Sequence, residues 1–369
     1  MQITAAIVNQ QSAPFSIDTV DLCDPRPDEI LVRVAASGMC HTDLHGRDGY
    51  FQNPFPAIFG HEGGGVVEAV GSAVTDFESG DHVIMAFPFC GACPNCRADM
   101  PAHCMDSMAL KGSGTRADGS TLIERNGAPV YSAFFQQSSF GTHAIANQRF
   151  AVKVRKDAPL DHLGAMACGV QTGAGAVFNA IKPAAGDSIA IFGVGGVGLS
   201  ALMAAKMSGC DPIIAVDLQD SRLALARELG ATHTINHTGR DDVVAAIRHI
   251  TGHGVKHSID TSARPDILRE AVEALMPLGT CILLGSARPG TDVSLEMPFL
   301  QDGRAIRGVI QGWSNPQIFL PHLVDLMMDG KFPVDRLMTF YPFAEINQAA
   351  EDATTGKTIK PVLRMPHAN

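Results

Sequence analysis

The chain has 369 residues, 46% of them hydrophobic, which is enough to fill two cores and more than one core usually serves. With 28 basic against 38 acidic residues its formal net charge is −10 and no basic run occurs, which weighs against nucleic acid or an anionic membrane as partner and favours small-molecule chemistry. The opening MQITAAIVNQ lacks the basic flank of a secretion signal, and no apolar run reaches the roughly 18 residues of a membrane span, so a cytoplasmic protein is expected.

Residues 1 to about 150 read as short strands between Gly and Pro clusters, with 30–35, 66–70 and 82–85 the β-rich segments. Next come Cys90, Cys93, Cys96 and Cys104, four of the nine cysteines, in the pattern C-x2-C-x2-C-x7-C. Two-residue gaps place thiolates on one tight turn, as a closed tetrahedral zinc site requires; with no position left for substrate, such a site is structural. The other thiols, Cys23, Cys40, Cys168, Cys210 and Cys281, are far apart and odd in number, which suits a reducing compartment. Arg97 is the only Lys or Arg between Cys90 and Cys104, which speaks against a nucleic-acid-binding finger. Residues 106–131, rich in Gly, Ser and charge, read as a surface excursion.

From Asp187 the texture changes to apolar runs at 188–192, 212–216, 256–259 and 280–284, alternating with helical patterns such as 199–207 and 221–229, the latter closed by Gly230. That alternation predicts a doubly wound parallel sheet. Gly193-Val-Gly195-Gly196-Val197-Gly198 follows the first run and opens a helix, so the G-x-G-x-x-G pattern stands in its proper context for a dinucleotide pyrophosphate. Asp217 ends the next run, where a carboxylate accepts from the adenosine ribose hydroxyls and repels a 2′-phosphate; the predicted cofactor is NAD, with Arg222 a nearby group able to accommodate that phosphate. From Trp313 onward two helical stretches and a strand at 359–363 match neither pattern.

Cys40, His61 and Cys168 are separated by 21 and 107 positions, and spacing alone connects none of them. The segment Gly60-His-Glu-Gly-Gly-Gly65 with Gly71 and Val74, the Cys40-His-Thr-Asp run, the four-cysteine lobe, Cys168-Gly169 and the glycine turn nevertheless resemble the zinc-containing medium-chain alcohol dehydrogenases in order and spacing, over essentially the whole chain. The resemblance implies a GroES-like catalytic domain at 1–169 and 312–369, with a zinc lobe near 88–106, and a Rossmann domain at 170–311, with the active cleft between the two. It implies a catalytic zinc on Cys40, His61 and Cys168 with the fourth position open, so that the metal polarises an alcohol oxygen while NAD takes the hydride. Glu62 corresponds to a glutamate able to coordinate that metal transiently, and Asp43 to a carboxylate that orients the ligand His. Thr42 and His45 correspond to the two ends of a proton relay. His41 and Lys360 correspond to residues on the pyrophosphate, and Thr172 and Val197 to residues against the nicotinamide. A homodimer or homotetramer follows from the same likeness.

The stretch from Phe134 to Phe140 is most similar to the aryl-alcohol (benzyl alcohol) branch, and to branches that oxidise geraniol-like alcohols. Phe134 and Phe135 are expected to wall the pocket, with Ala86 leaving room for a ring. The expected substrate is therefore a primary aromatic or allylic alcohol of benzyl, cinnamyl or geraniol type. The alternatives are a broad aliphatic alcohol dehydrogenase and a thiol-dependent formaldehyde dehydrogenase; the latter expects basic residues in the cleft, against which the phenylalanines argue. A zinc-free quinone reductase relative is disfavoured because all three catalytic ligands are present.

Overall fold

Strand Glu29–Gly38 is buried along almost its whole length because three other strands pair with it: Gly63–Val70, His143–Asn147 and Lys360–Arg364. Its near-continuous Ile-Leu-Val-Ala sequence is what such a position requires, since both faces are covered. In this computed structural model, which describes residues 1–50 and 53–366, the strand belongs to a unit formed by Met1–Cys168 and Ser314–Asn369. Its sheet runs Ala151–Val154, His82–Met85, Gly63–Val70, Glu29–Gly38, Lys360–Arg364, Met338–Pro342, so the C-terminal strand, whose own pattern matches neither domain, joins the N-terminal fold. A second sheet runs Ala57–Ile58, Gln2–Val8, Ser16–Leu22, Ile123–Arg125, Ala128–Val130. Residues 106–131 are thus more than the expected surface excursion. They hold helix Ser107–Gly112 and a hairpin that extends this sheet, with Leu122, Ile123 and Val130 in the core, because those three apolar side chains pack inward although their neighbours are polar.

The second unit, Gly169–Trp313, carries a parallel sheet in the order His233–Asn236, Ile213–Asp217, Ile189–Phe192, Val255–Asp260, Leu275–Leu283, Ala305–Gly308. The apolar runs of the sequence are its strands, and helices Gly196–Met207 and Asp220–Leu229 fill the intervals. The fold is a GroES-like unit and a Rossmann unit, as expected. Among the described residues no helix is long and apolar enough to cross a membrane.

Candidate active site

Helix His41–Arg47 begins at Cys40, whose backbone is extended; the Cys40 amide donates to Asp43 Oδ2 at 2.9 Å, so the third residue of the helix caps its own start. Asp43 is fully buried, and its other oxygen accepts from Gly60 N at 3.0 Å and from His61 Nδ1 at 2.8 Å. A carboxylate only accepts, so Nδ1 carries a proton and Nε2 is the nitrogen left for a metal, which would displace any proton held there. That Nε2 is buried and unpartnered among the described residues. Cys40, His61, Glu62 and Cys168 each offer one donor atom, all within 4.8 Å of one another. Two thiols, one imidazole oriented by a carboxylate, and a carboxylate beside them form a donor set that fits zinc.

The electrostatics agree with a cation at this place. The hydrogen bond from Cys168 holds the Cys40 thiol well below its ordinary range against the effect of burial, while the same contact and burial push Cys168 well above. Burial opposes charge on His61, yet Asp43 and Cys40 outweigh it and raise the imidazole to about 10. A field that retains a proton so strongly favours a divalent ion in the same position.

Glu62 is sealed from solvent, and burial raises its carboxyl to about 7 although Lys360 pulls the other way. Lys360 Nζ donates to both carboxylate oxygens at 2.7 and 2.8 Å. A Cβ on Gly38 would collide with this carboxylate, so glycine at 38 makes the pair possible. Lys360, expected on the cofactor phosphates, is thus found buried against Glu62; the pairing of Lys360–Arg364 with Glu29–Gly38 carries it there. Thr42 Oγ1 lies 3.6 Å from Cys40 Sγ, and His41 is exposed. The half-buried His45 ring stacks on Tyr50 with centroids 4.7 Å apart.

Phe134 and Phe135 are both buried and both pack on His61, with ring centroids 5.8 and 4.5 Å from the imidazole. Phe135, Gln136 and Ser138 all have left-handed backbones, at a cost of order 1–3 kcal/mol each. Gln137 helps hold this strained loop: its amide donates to the carbonyls of His61, Met85 and Ala86 at 3.1, 3.1 and 3.3 Å, and its oxygen accepts from Gly63 N at 3.1 Å. Ala86 is therefore buried beside the same loop. Sequence reasoning missed Gln137, and it missed Lys111, which is only 6% exposed and has its ammonium 5.4 Å from the Phe135 centroid. Burial pushes that ammonium down to about 8 while the thiols of Cys168 and Cys104 pull upward.

The four-cysteine lobe closes around its own centre. Cys90, Cys93, Cys96 and Cys104 form a second cluster with donor atoms within 4.8 Å. Backbone amides point at the sulfurs: Cys93 N and Ala92 N reach Cys90 Sγ at 3.2 and 3.4 Å, and Cys90 N reaches Cys104 Sγ at 3.2 Å. Backbone amides of Met105 and Cys96 draw the Cys93 thiol down to about 6.

In the second unit Gly193 adopts φ +85° and Gly195 caps helix Gly196–Met207. A Cβ on Gly198 would collide with the Gly193 carbonyl, so the turn closes only with glycine there. Thr261 Oγ1 donates to Gly193 O at 2.9 Å. Asp217 accepts from Val194 N at 2.8 Å and from Gln219 N at 3.0 Å, which fastens the end of its strand to the turn. An Arg222 nitrogen lies 3.9 Å from where a Gly195 Cβ would stand. Thr172 and Val197 sit half-buried on helices that meet where a Gly173 Cβ would strike the Val197 carbonyl.

Residues 196–327 match the zinc-binding dehydrogenase family, and residues 26–154 match the alcohol dehydrogenase GroES-like domain. The chain is 43% identical to geraniol dehydrogenase of Castellaniella defragrans, covering 97% of this chain and 96% of that protein. It is 33% identical to S-(hydroxymethyl)glutathione dehydrogenase of Paracoccus denitrificans, covering 98% and 100%. Among solved structures, an alcohol dehydrogenase zinc-binding domain protein from Burkholderia ambifaria superposes with TM-score 0.97 at 48% identity over 100% of both chains. The benzyl alcohol dehydrogenase of Acinetobacter calcoaceticus superposes with TM-score 0.95 at 43% identity over 99% of both.

Proposed function

The chain belongs to the zinc-binding alcohol dehydrogenases with a GroES-like domain, and from that premise we propose that its substrate is a primary alcohol on an aromatic ring or an allylic carbon. It is an NAD-linked, zinc-dependent enzyme that interconverts such an alcohol and its aldehyde. The observation that carries the reading is the orphaned, buried Nε2 of His61, turned to Cys40 and Cys168 by Asp43. Zinc bound there supplies Lewis acidity toward the alcohol oxygen, and NAD supplies the acceptor of hydride.

In this reading Cys40, His61 and Cys168 hold the catalytic ion, and Cys90, Cys93, Cys96 and Cys104 hold a structural one. Asp43 keeps His61 in the metal-binding tautomer. Thr42 and His45 are the two ends of the proton relay: Thr42 Oγ1 would accept the alcohol's proton as its own hydroxyl proton passes on, and His45 would give a proton up to solvent, with Tyr50 stacking to fix the imidazole plane. Glu62, neutralised by Lys360, adds a donor without adding net charge. Phe134, Phe135 and Ala86 bound the ring of the substrate. Asp217 accepts from the ribose, the turn of Gly193, Gly195, Gly196 and Gly198 serves the pyrophosphate, Arg222 is the group able to accommodate a 2′-phosphate, and Thr172 and Val197 pack on the nicotinamide. Family membership is also the basis for expecting a cytoplasmic homodimer or homotetramer.

The names of the geraniol and benzyl alcohol relatives, together with the two phenylalanines on His61, support the aromatic or allylic class. Comparing kcat/KM for benzyl, cinnamyl and geranyl alcohols with that for ethanol tests it. Ethanol as the best of the four refutes the class. Oxidation of S-(hydroxymethyl)glutathione is a second reading, and one observation favours it: a basic group, Lys111, lies against Phe135.

A further inference from the structure

Lys111 sits on the short helix Ser107–Gly112 and is more than nine-tenths buried. The contact its ammonium makes among the described residues is with the ring of Phe135, 5.4 Å from the centroid. A ring face does not replace the anion that pairs with an ammonium, and among the described residues no hydrogen bond or ion pair to this ammonium occurs, so it is open to an acceptor. Phe135 also touches His61 at 4.5 Å, which places Lys111 within about 10 Å of the imidazole. The position is held rather than incidental. Gln136 Nε2 donates to Leu110 O, Ser113 Oγ and Thr115 O at 3.0, 3.2 and 3.1 Å, so the loop carrying Phe135 is pinned on both sides of Lys111.

We propose that Lys111 is a specificity-determining residue that receives a carboxylate on the substrate, at the end remote from the hydroxymethyl group. The inference rests on the alcohol dehydrogenase reading for what occupies the His61 end. Two kinds of molecule carry that chemistry: a carboxylated aryl alcohol, and a thiol adduct such as S-(hydroxymethyl)glutathione. Phe134 and Phe135 beside His61 suit the shorter, flat one.

The test is calorimetric binding to the zinc-loaded protein of 4-(hydroxymethyl)benzoate, S-(hydroxymethyl)glutathione and uncharged benzyl alcohol, for the unaltered protein, Lys111→Met and Lys111→Arg. The expected result is a loss of about tenfold or more in the affinity for at least one carboxylate relative to benzyl alcohol in Lys111→Met, the scale of one charge-assisted hydrogen bond, with recovery in Lys111→Arg. Which of the two carboxylates responds identifies the source. A ratio that stays within threefold for both overturns the proposal. So does a parallel loss for all three ligands together with loss of zinc, which would make Lys111 a counter-charge to the four-cysteine cluster. Absence of turnover with every alcohol would count against the dehydrogenase reading, whereas the binding ratio reports on Lys111 alone.

Discussion

Asp43 and His61, eighteen positions apart, meet at 2.8 Å with both side chains shut away from water. The carboxylate thereby decides which imidazole nitrogen faces Cys40 and Cys168, and its other oxygen anchors the turn that carries Cys40.

Replacing Asp43 by Asn keeps the shape but removes the charge and frees the tautomer. Metal affinity should fall about 10- to 100-fold, with a matching drop in kcat at limiting zinc. Competition with a chromophoric chelator measures this. Equal affinity in Asp43→Asn and the unaltered protein would remove Asp43 from the role assigned to it.

The Glu62–Lys360 pair is sealed on both sides, so deleting one partner strands the other charge. Lys360→Met should destabilise the fold by about 3–5 kcal/mol, and adding Glu62→Gln should restore much of the loss. Urea midpoints of the two single variants and the double variant decide the matter. Additive effects of the single changes would mean that the two do not act as a pair.

In the proposed cofactor site Asp217 accepts from the adenosine ribose and repels a 2′-phosphate. Asp217→Gly should lower the ratio of kcat/KM with NAD to that with NADP by about tenfold, with Arg222 then free of competition for the phosphate. A ratio below one in the unaltered protein contradicts the assignment of NAD.

Lys111 carries a stability cost that depends on pH. Burial lowers its ammonium from 10.5 to about 8. Between those values the native state binds fewer protons than the unfolded chain, so stability rises with pH across the window, and the full cost applies below it. Lys111→Met should therefore stabilise the protein at pH 7 by about 1–3 kcal/mol, and the gain should shrink as pH approaches 10. Denaturant midpoints at both pH values test this. A variant less stable at pH 7 would show that the lysine is held by attraction.

What the sequence makes legible follows the reach of each signal. Cys90, Cys93, Cys96 and Cys104 are visible because their ligand spacing is local, and Gly193 to Gly198 because strand, turn and helix adjoin. Cys168 is 128 positions from Cys40, and only family resemblance could join them. Lys360 and Glu62 are 298 positions apart, and their pairing depends on where the last strand enters the sheet. Lys111 stands in a polar, glycine-rich stretch that looks solvent-exposed; its burial comes from the Phe134–Gln137 loop folding over it, a tertiary event with no periodic trace.

In the proposed reading the ion held by Cys40, His61 and Cys168 is required for turnover, and following zinc content and benzyl alcohol oxidation together during controlled chelation measures this. About two zinc ions per chain are expected at the outset, with activity vanishing as the ion on Cys40, His61 and Cys168 is lost and recovering when zinc is returned. Undiminished oxidation with both ions removed, or in Cys40→Ser, would rule that requirement out.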